Sequence, residues 1–223
     1  DKSFTDVNCP QLSKILFPIP VFCASDRQAQ DEQLRLTQNA QPAIATFSMG
    51  LFNILKQAGL KIDFAAGHSF GELSALWASG VLSDTDYMLL ARIRVAAMTM
   101  PDDADFDAGS MLAVMGSATK VEESIKALHG VSIANYNSKD QVVIAGANSD
   151  LKVAVTQLQS EGYHVVKLPV SAAFHTHRVK HAQKPFAKII DSVKFNTPKI
   201  PVFSNASAQA HSKKGSEIKS AFK

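Results

Sequence analysis

Cysteine is nearly absent: Cys9 and Cys23 are the only two in 223 residues. Two cysteines cannot build a disulfide framework, so a small secreted scaffold is excluded and a reduced, cytoplasmic protein is expected. No apolar run approaches the ~18 residues of a membrane-spanning helix, and no membrane partner is expected. An excess of one charge is missing too. There are 23 Lys and Arg against 20 Asp and Glu, a net charge of +3, and no long basic run supports nucleic acid binding. The densest basic pair, Lys213-Lys214, reads as part of a solvated polar tail. Asp1-Lys2-Ser3-Phe4 has neither a start methionine nor the apolar stretch of a signal peptide. A chain that opens so abruptly is expected to be a piece of something longer. Internal repeats and low-complexity segments are also lacking. What remains is an ordinary globular balance, 46% hydrophobic and 19% charged. It is enough for one large domain with or without a small companion.

The most informative stretch is Gly67-His68-Ser69-Phe70-Gly71, followed by Glu72. Lys61 to Ala66 before it reads as a short buried strand. After it, Phe70, Leu73, Leu76 and Trp77 recur at helical spacing up to Ser79. A serine on a sharp turn between strand and helix is a nucleophile elbow. Its backbone is strained, its hydroxyl is lifted clear of the sheet, and helix-start amides lie beside it to stabilise an oxyanion. Both glycines are expected to be required, because a side chain there would collide with the crossing strand and helix. The pattern alone is loose; the strand before it and the helix after it give it weight.

Pro10, Pro18 and Pro20 punctuate short mixed elements in residues 1–35. A long helix is expected over Thr37 to Ala58, with Ala43, Ile44, Phe47, Leu51, Ile54 and Leu55 apolar and a stop at Gly59. Asp84 is expected to cap a helix over Thr85 to Met98. Pro101 to Gly109 is a break. From Ser110 the expected order is strand (111–115), helix (119–128), strand (131–136), strand (141–145), helix (149–161) and strand (163–170). That β-α-β-β-α-β run is the split βαβ, ferredoxin-like arrangement. A helix over 179–193 and a strand over 200–204 follow. The fold class expected is α/β: a large α/β-hydrolase-like subdomain with a parallel sheet, formed by 1–109 and 171–223, and an inserted ferredoxin-like subdomain, 110–170.

A serine hydroxyl needs a base to take its proton. His68 adjoins Ser69 but points the other way along the turn, which fits a wall or an anion-side donor better. His129 precedes Gly130 at a helix end, a capping position, and His164 opens a strand. His175 lies in Ser171-Ala172-Ala173-Phe174-His175-Thr176-His177, a loop of small residues where the chain re-enters the large subdomain, the kind of place where catalytic groups collect. A structural histidine remains the other reading of that position. His177 and His181, with His175, have no acidic or cysteine ligand nearby, so no metal is expected. Asp103, Asp105 and Asp107 imitate a calcium loop, but Ala108 stands where its glycine belongs and Val114 where its glutamate belongs. Arg92 and Arg94 point to different faces of their helix. Either is a candidate fork for a carboxylate, with a surface arginine as the plainer alternative.

Taken together these residues resemble the malonyl-CoA:acyl-carrier-protein transacylase family, the acyltransferase domains of fatty acid and polyketide synthases. Gly67 to Glu72 matches the family's elbow. Arg94-Val95-Ala96-Ala97-Met98 matches an Arg-x-x-x-Met segment on the following helix. Asn135 to Gly146 matches the small subdomain's hallmark stretch, and Ala173-Phe174-His175 falls on the catalytic histidine. The surrounding residues, Gly71 to Gly80 among them, are most similar to the acyltransferase domain of bacterial polyunsaturated-fatty-acid synthases.

The resemblance implies a ping-pong reaction without a bound cofactor. Ser69 attacks the thioester of malonyl-CoA while His175 takes its proton, and the phosphopantetheine thiol of an acyl carrier protein then collects the malonyl group. It implies further that Arg94 holds the malonyl carboxylate and that Phe174 crowds an α-methyl group. Phe70 supplies an oxyanion amide, His68 and Met98 line the substrate site, and Asn135 and Gln141 support loop geometry. Neighbouring synthase domains are the other expected partners. The family's Gly-Gln-Gly-Ser-Gln loop, which lines the oxyanion hole, has no counterpart in these residues. Neither does the C-terminal portion whose carbonyl orients the histidine, so a fragment with an incomplete site is expected. Two rivals stay open. An esterase or thioesterase on the same elbow needs a triad acid, for which Asp140 and Asp150 are poorly placed. The other is a non-catalytic piece of a synthase.

Overall fold

The computed structural model describes residues 11–98, 106–170 and 172–222. The chain is α/β and divides into two compact units, Asp1–Ala97 with Gln183–Lys223, and Met98–Ala182.

The first unit is built around the helix that follows the elbow, Gly71–Ala78, which buries Glu72, Leu73, Ala75, Leu76 and Trp77. A helix apolar nearly all round belongs inside, and each fully buried leucine contributes about 2 kcal/mol. Tyr87 and Leu90 of helix Asp84–Met98, Ile190 of helix Gln183–Ser192, Val202, and Ile218 of helix Gly215–Ala221 close over it. Trp77 stacks on Tyr87 at 5.5 Å and meets Phe52 edge-on at 5.2 Å. The polar tips of both rings are satisfied, Trp77 Nε1 donating to Asp84 Oδ1 at 2.7 Å and the Tyr87 hydroxyl lying 2.6 Å from Ser74 Oγ. Burial pushes the Tyr87 phenol up, and the Ser74 bond offsets part of that.

Several expectations are corrected in this unit. Ser83, not Asp84, caps helix Asp84–Met98: the Asp86 amide donates to Ser83 Oγ at 3.1 Å and the Tyr87 amide to its carbonyl at 2.9 Å. The long helix, Thr37–Gln57, stops as expected, with Gly59 at φ +91°. It turns Ala45, Met49 and Phe52 to the core and leaves Ile44, Phe47, Leu51, Ile54 and Leu55 exposed. Lys213-Lys214 do not lie in a tail. They lead into helix Gly215–Ala221, whose Ile218 is fully buried. The segment before the elbow and the one at 200–204 are not strands but pair once, as a parallel bridge between Ala65 and Val202. The Ala65 amide donates to Pro201 O at 2.9 Å and the Phe203 amide to Ala65 O at 3.0 Å. Extending the ladder backwards needs an amide hydrogen at Pro201, which proline lacks. Extending it forwards needs the Asn205 amide, which donates instead to Glu72 Oε2 at 3.3 Å.

Among the described residues, the second unit is a four-stranded sheet with two α-helices and a short 3-10 helix, His177–Ala182. Its strands are β1 (Ser110–Met115), β2 (Val131–Ser138), β3 (Gln141–Gly146) and β4 (His164–Lys167), in the order β2-β3-β1-β4 with all neighbours antiparallel. Helices Ala118–Ile125 and Asn148–Ser160 cover one face through Val121, Ile125, Leu151, Ala154 and Leu158, packed on Leu112, Val114, Val142 and Ile144. The opposite face packs Met111, Val143 and Ala145 against Ala173, with Leu168, Val170 and Phe174 at the edge. The central strands are therefore buried on both sides. The boundary differs from the expected 109 and 171. Ala173 donates its amide to Ala108 O at 2.8 Å, Arg178 Nη1 reaches Asp107 O at 2.5 Å, and Phe106 meets His181 edge-on at 5.7 Å. These contacts tie the segment around His175 to the second unit. Of the aspartates that imitate a calcium loop, Asp103 and Asp105 lie outside the described residues. Asp107 instead caps helix Asn148–Ser160, and the backbone bonds from Asn148 and Gly109 hold its carboxyl below the usual range.

Candidate active site

Ser69 has φ +53°, a left-handed conformation that costs a non-glycine residue about 1–2 kcal/mol. It stands between Ala65, held in the parallel bridge, and the buried helix that starts at Gly71. The turn is closed by the Gly71 amide donating to His68 O at 2.8 Å, the Glu72 amide to Ser69 O at 3.1 Å, and the Leu73 amide to Phe70 O at 3.1 Å. Phe70 drives its ring into the core, 8% exposed and stacked on Tyr87 at 6.3 Å. That burial anchors the residue after Ser69, and with it the first amide beyond the turn. A shallow cavity of 350 Å³ opens beside the elbow, lined by Ala66, Gly67, His68, Phe203, Ser204 and Asn205.

The two elbow glycines turn out to differ. A Cβ on Gly67 would sit 2.0 Å from Gly71 O and 2.7 Å from Glu72 N, whereas one on Gly71 meets nothing within 4 Å. Only the first is sterically required, since Gly71 opens its helix with the missing side chain facing free space. Gly67→Ala is therefore expected to lose about 3 kcal/mol of stability or more by forcing backbone apart, and Gly71→Ala less than about 0.5 kcal/mol. Urea unfolding followed by circular dichroism reads both.

Sequence reasoning missed the residues that grip the elbow. Asn205 Oδ1 accepts from the Ser69 amide at 3.1 Å, and its Nδ2 donates to Gly67 O at 2.6 Å and to Glu72 Oε2 at 2.8 Å. Glu72 is 8% exposed, and its other oxygen accepts from His211 Nε2 at 2.7 Å. Each such bond is worth about 0.5–1.5 kcal/mol net, somewhat more at the carboxylate, so together they outweigh the strain at Ser69. Glu72 was visible as part of the elbow pattern. Nothing in the sequence links position 205 to position 67.

Arg94 lies in the same unit. Its Nη1 donates to Gln41 Oε1 at 2.7 Å, and burial pushes the guanidinium down to about 10, still charged at neutral pH. Arg94 is half-buried, and a partly desolvated cation whose side-chain partner among the described residues is a neutral amide can receive an anion. Arg92, by contrast, has a buried Nε with no partner among the described residues.

The remaining candidates belong to the second unit. His175 has φ +62°, on a turn where Thr176 Oγ1 donates to Ala173 O at 2.6 Å and the Arg178 amide to Thr176 Oγ1 at 3.3 Å. Phe174 packs half-buried at the edge of the Met111 cluster. Asn135 sits at a register shift in β2. Gln141 opens β3, where its Oε1 accepts from Asn137 Nδ2 at 3.0 Å across the hairpin. Met98 ends its helix and groups with this unit. Among the described residues no three His, Cys, Asp or Glu side chains gather at metal-binding range, and no helix is long and apolar enough to cross a membrane.

Residues 10–221 match the family model of the acyl transferase domain. The chain is similar to one of the polyunsaturated fatty acid synthase subunits of Thraustochytrium sp., 33% identical over 210 residues covering 92% of this chain and 7% of that protein. It is also similar to the malonyl CoA-acyl carrier protein transacylase of Bacillus subtilis, 33% identical over 189 residues covering 82% and 59%. Among solved structures, the acyl-carrier-protein S-malonyltransferase of Bartonella henselae matches with a TM-score of 0.81 at 34% identity, over 98% of this chain and 68% of that one. The chain thus spans somewhat more than half of the Bacillus relative and a small part of the Thraustochytrium one.

Proposed function

The chain belongs to the acyl transferase domain family, and on that premise we propose that it moves a malonyl group from coenzyme A to the phosphopantetheine thiol of an acyl carrier protein. The observation that carries the reading is a left-handed serine at the head of a buried helix, in the same unit as a half-buried, charged arginine. Ser69 Oγ attacks the thioester carbonyl as its proton passes to His175. The oxyanion is met by the Phe70 amide. Collapse expels the coenzyme A thiolate, which takes the proton back from His175. The carrier thiol then gives its proton to His175, attacks the ester carbonyl and returns the hydroxyl to Ser69. Arg94 holds the malonyl carboxylate throughout, and Phe174 narrows the space beside the α-carbon. His68 and Met98 complete the substrate walls. No cofactor takes part.

The reading extends to the fold and its setting. The first unit is α/β-hydrolase-like, and the second has the β-α-β-β-α-β order and strand neighbours of a ferredoxin-like subdomain. The similarity to the Thraustochytrium protein supports a place within a multidomain polyunsaturated fatty acid synthase beside other synthase domains, and a cytoplasmic setting is part of the same proposal.

Intact-mass measurement after mixing the full chain with malonyl-CoA tests the proposal. A stable malonyl ester, mapped to Ser69 and discharged by a carrier protein thiol, is the expected outcome. Continuous release of free malonate without transfer to the thiol would mark an esterase. No adduct and no turnover would leave a non-catalytic piece of a synthase.

A further inference from the structure

We propose that Asn205 is a positioning residue for the nucleophile and that Glu72, with His211, sets which way the Asn205 amide faces. The inference rests on the reading of Ser69 as the acylated residue. One amide side chain spans the turn on both sides of His68, accepting from the Ser69 amide and donating to the Gly67 carbonyl. A serine at φ +53° relaxes readily to an ordinary backbone unless something outside the turn fixes its peptide planes. Asn205 supplies that hold.

The orientation matters because an amide has two unlike ends. Glu72 Oε2 only accepts, so it draws Nδ2 to itself and leaves Oδ1 to face the Ser69 amide. Glu72 is fixed in turn: His211 Nε2 donates to its other oxygen, and both side chains are largely buried. The Asn205 backbone amide also donates to Glu72 Oε2. A carboxylate inside the elbow helix therefore keys an asparagine far along the chain. This gives Glu72 a use other than contact with substrate.

Asn205→Asp tests it in the full chain. The variant is isosteric and keeps an acceptor for Ser69, but turns its second oxygen against the Gly67 carbonyl and the Glu72 carboxylate. The expected result is a fall of about 100-fold in the rate constant for malonylation of Ser69, the usual scale for a misplaced reacting group. Malonyl-CoA affinity, measured with Ser69→Ala present in both chains, should stay within about twofold, because ground-state binding is not what the clamp serves. Adding Glu72→Gln to Asn205→Asp offers an N–H to the new carboxylate and a carbonyl to His211. It should restore about tenfold, a coupling typical of directly bonded partners. Malonylation near the wild-type rate, a parallel loss of affinity, or no recovery with Glu72→Gln would each overturn the proposal. Should the wild-type chain fail to acylate, the functional reading fails, and amide hydrogen exchange decides this inference by itself. Asn205→Ala should speed exchange at the Ser69 amide about tenfold with the Leu76 and Val81 amides unchanged; an unchanged Ser69 amide would overturn it.

Discussion

Ser69→Ala is expected to abolish the malonyl adduct and to lower carrier-protein malonylation by about four orders of magnitude or more, because no other atom replaces the acyl acceptor. The variant should fold as well as the wild type, within about 0.5 kcal/mol. Alanine carries a Cβ, so it meets the same penalty at φ +53° that serine meets. Ser69→Gly separates the two consequences of that geometry. It is equally inactive, yet it should be more stable than Ser69→Ala by about 1 kcal/mol, since glycine enters the left-handed region freely. Greater freedom in its unfolded state offsets part of that gain. Intact mass reads the first effect and urea midpoints the second. A nucleophile whose removal stabilises the fold is the mark of strain held for chemistry. Equal stability of the two variants would show instead that the surrounding bonds relax the turn when the hydroxyl is gone.

The parts of this molecule legible in the sequence are those whose cause is local. The elbow was legible because a glycine, a serine and an apolar helix within a dozen positions describe one turn. The strands of the second unit followed from short apolar runs separated by Gly116, Gly130 and the Lys139-Asp140 turn, and each lies within a few residues of where the pattern put it. Causes that act at a distance were not legible. Helix Thr37–Gln57 carries apolar residues on both sides, so its period located the helix but not the side that packs, and the smaller stripe of Ala45, Met49 and Phe52 faces the core. Pro201 ends the bridge beside Ala65 only because those two segments meet. Asn205 and His211 serve the elbow across more than a hundred residues, and helix Gly215–Ala221 hides one isoleucine in a polar stretch.

Arg94→Ala is the counterpart at the other end of the substrate. Within the proposed reaction, malonyl brings a carboxylate to a half-buried guanidinium whose charge is disfavoured by desolvation and which, among the described residues, Gln41 meets with a neutral oxygen at 2.7 Å. Losing one partner of a buried, hydrogen-bonded ion pair costs about 3–5 kcal/mol. The kcat/KM for malonyl-CoA should therefore fall about 1,000-fold. Acetyl-CoA, which leaves the wild-type arginine unpaired, should gain, so the preference between the two narrows from both sides. Gln41→Glu makes the same point without removing the arginine. A carboxylate at 41 would neutralise Arg94 in advance and depress malonyl transfer while sparing acetyl. The pH dependence has a definite sign. Arg94 keeps its charge up to about 10, so malonyl selectivity should be flat through the neutral range and decline only as pH passes that value. The burial cost to folding is fully present below it and is relieved as pH rises toward the guanidinium's ordinary range. Comparing malonyl and acetyl transfer rates across that span distinguishes a charge-reading site from a steric one. A pocket that merely excluded the smaller acyl group by fit would show no pH dependence in the ratio, and its malonyl preference would survive Gln41→Glu.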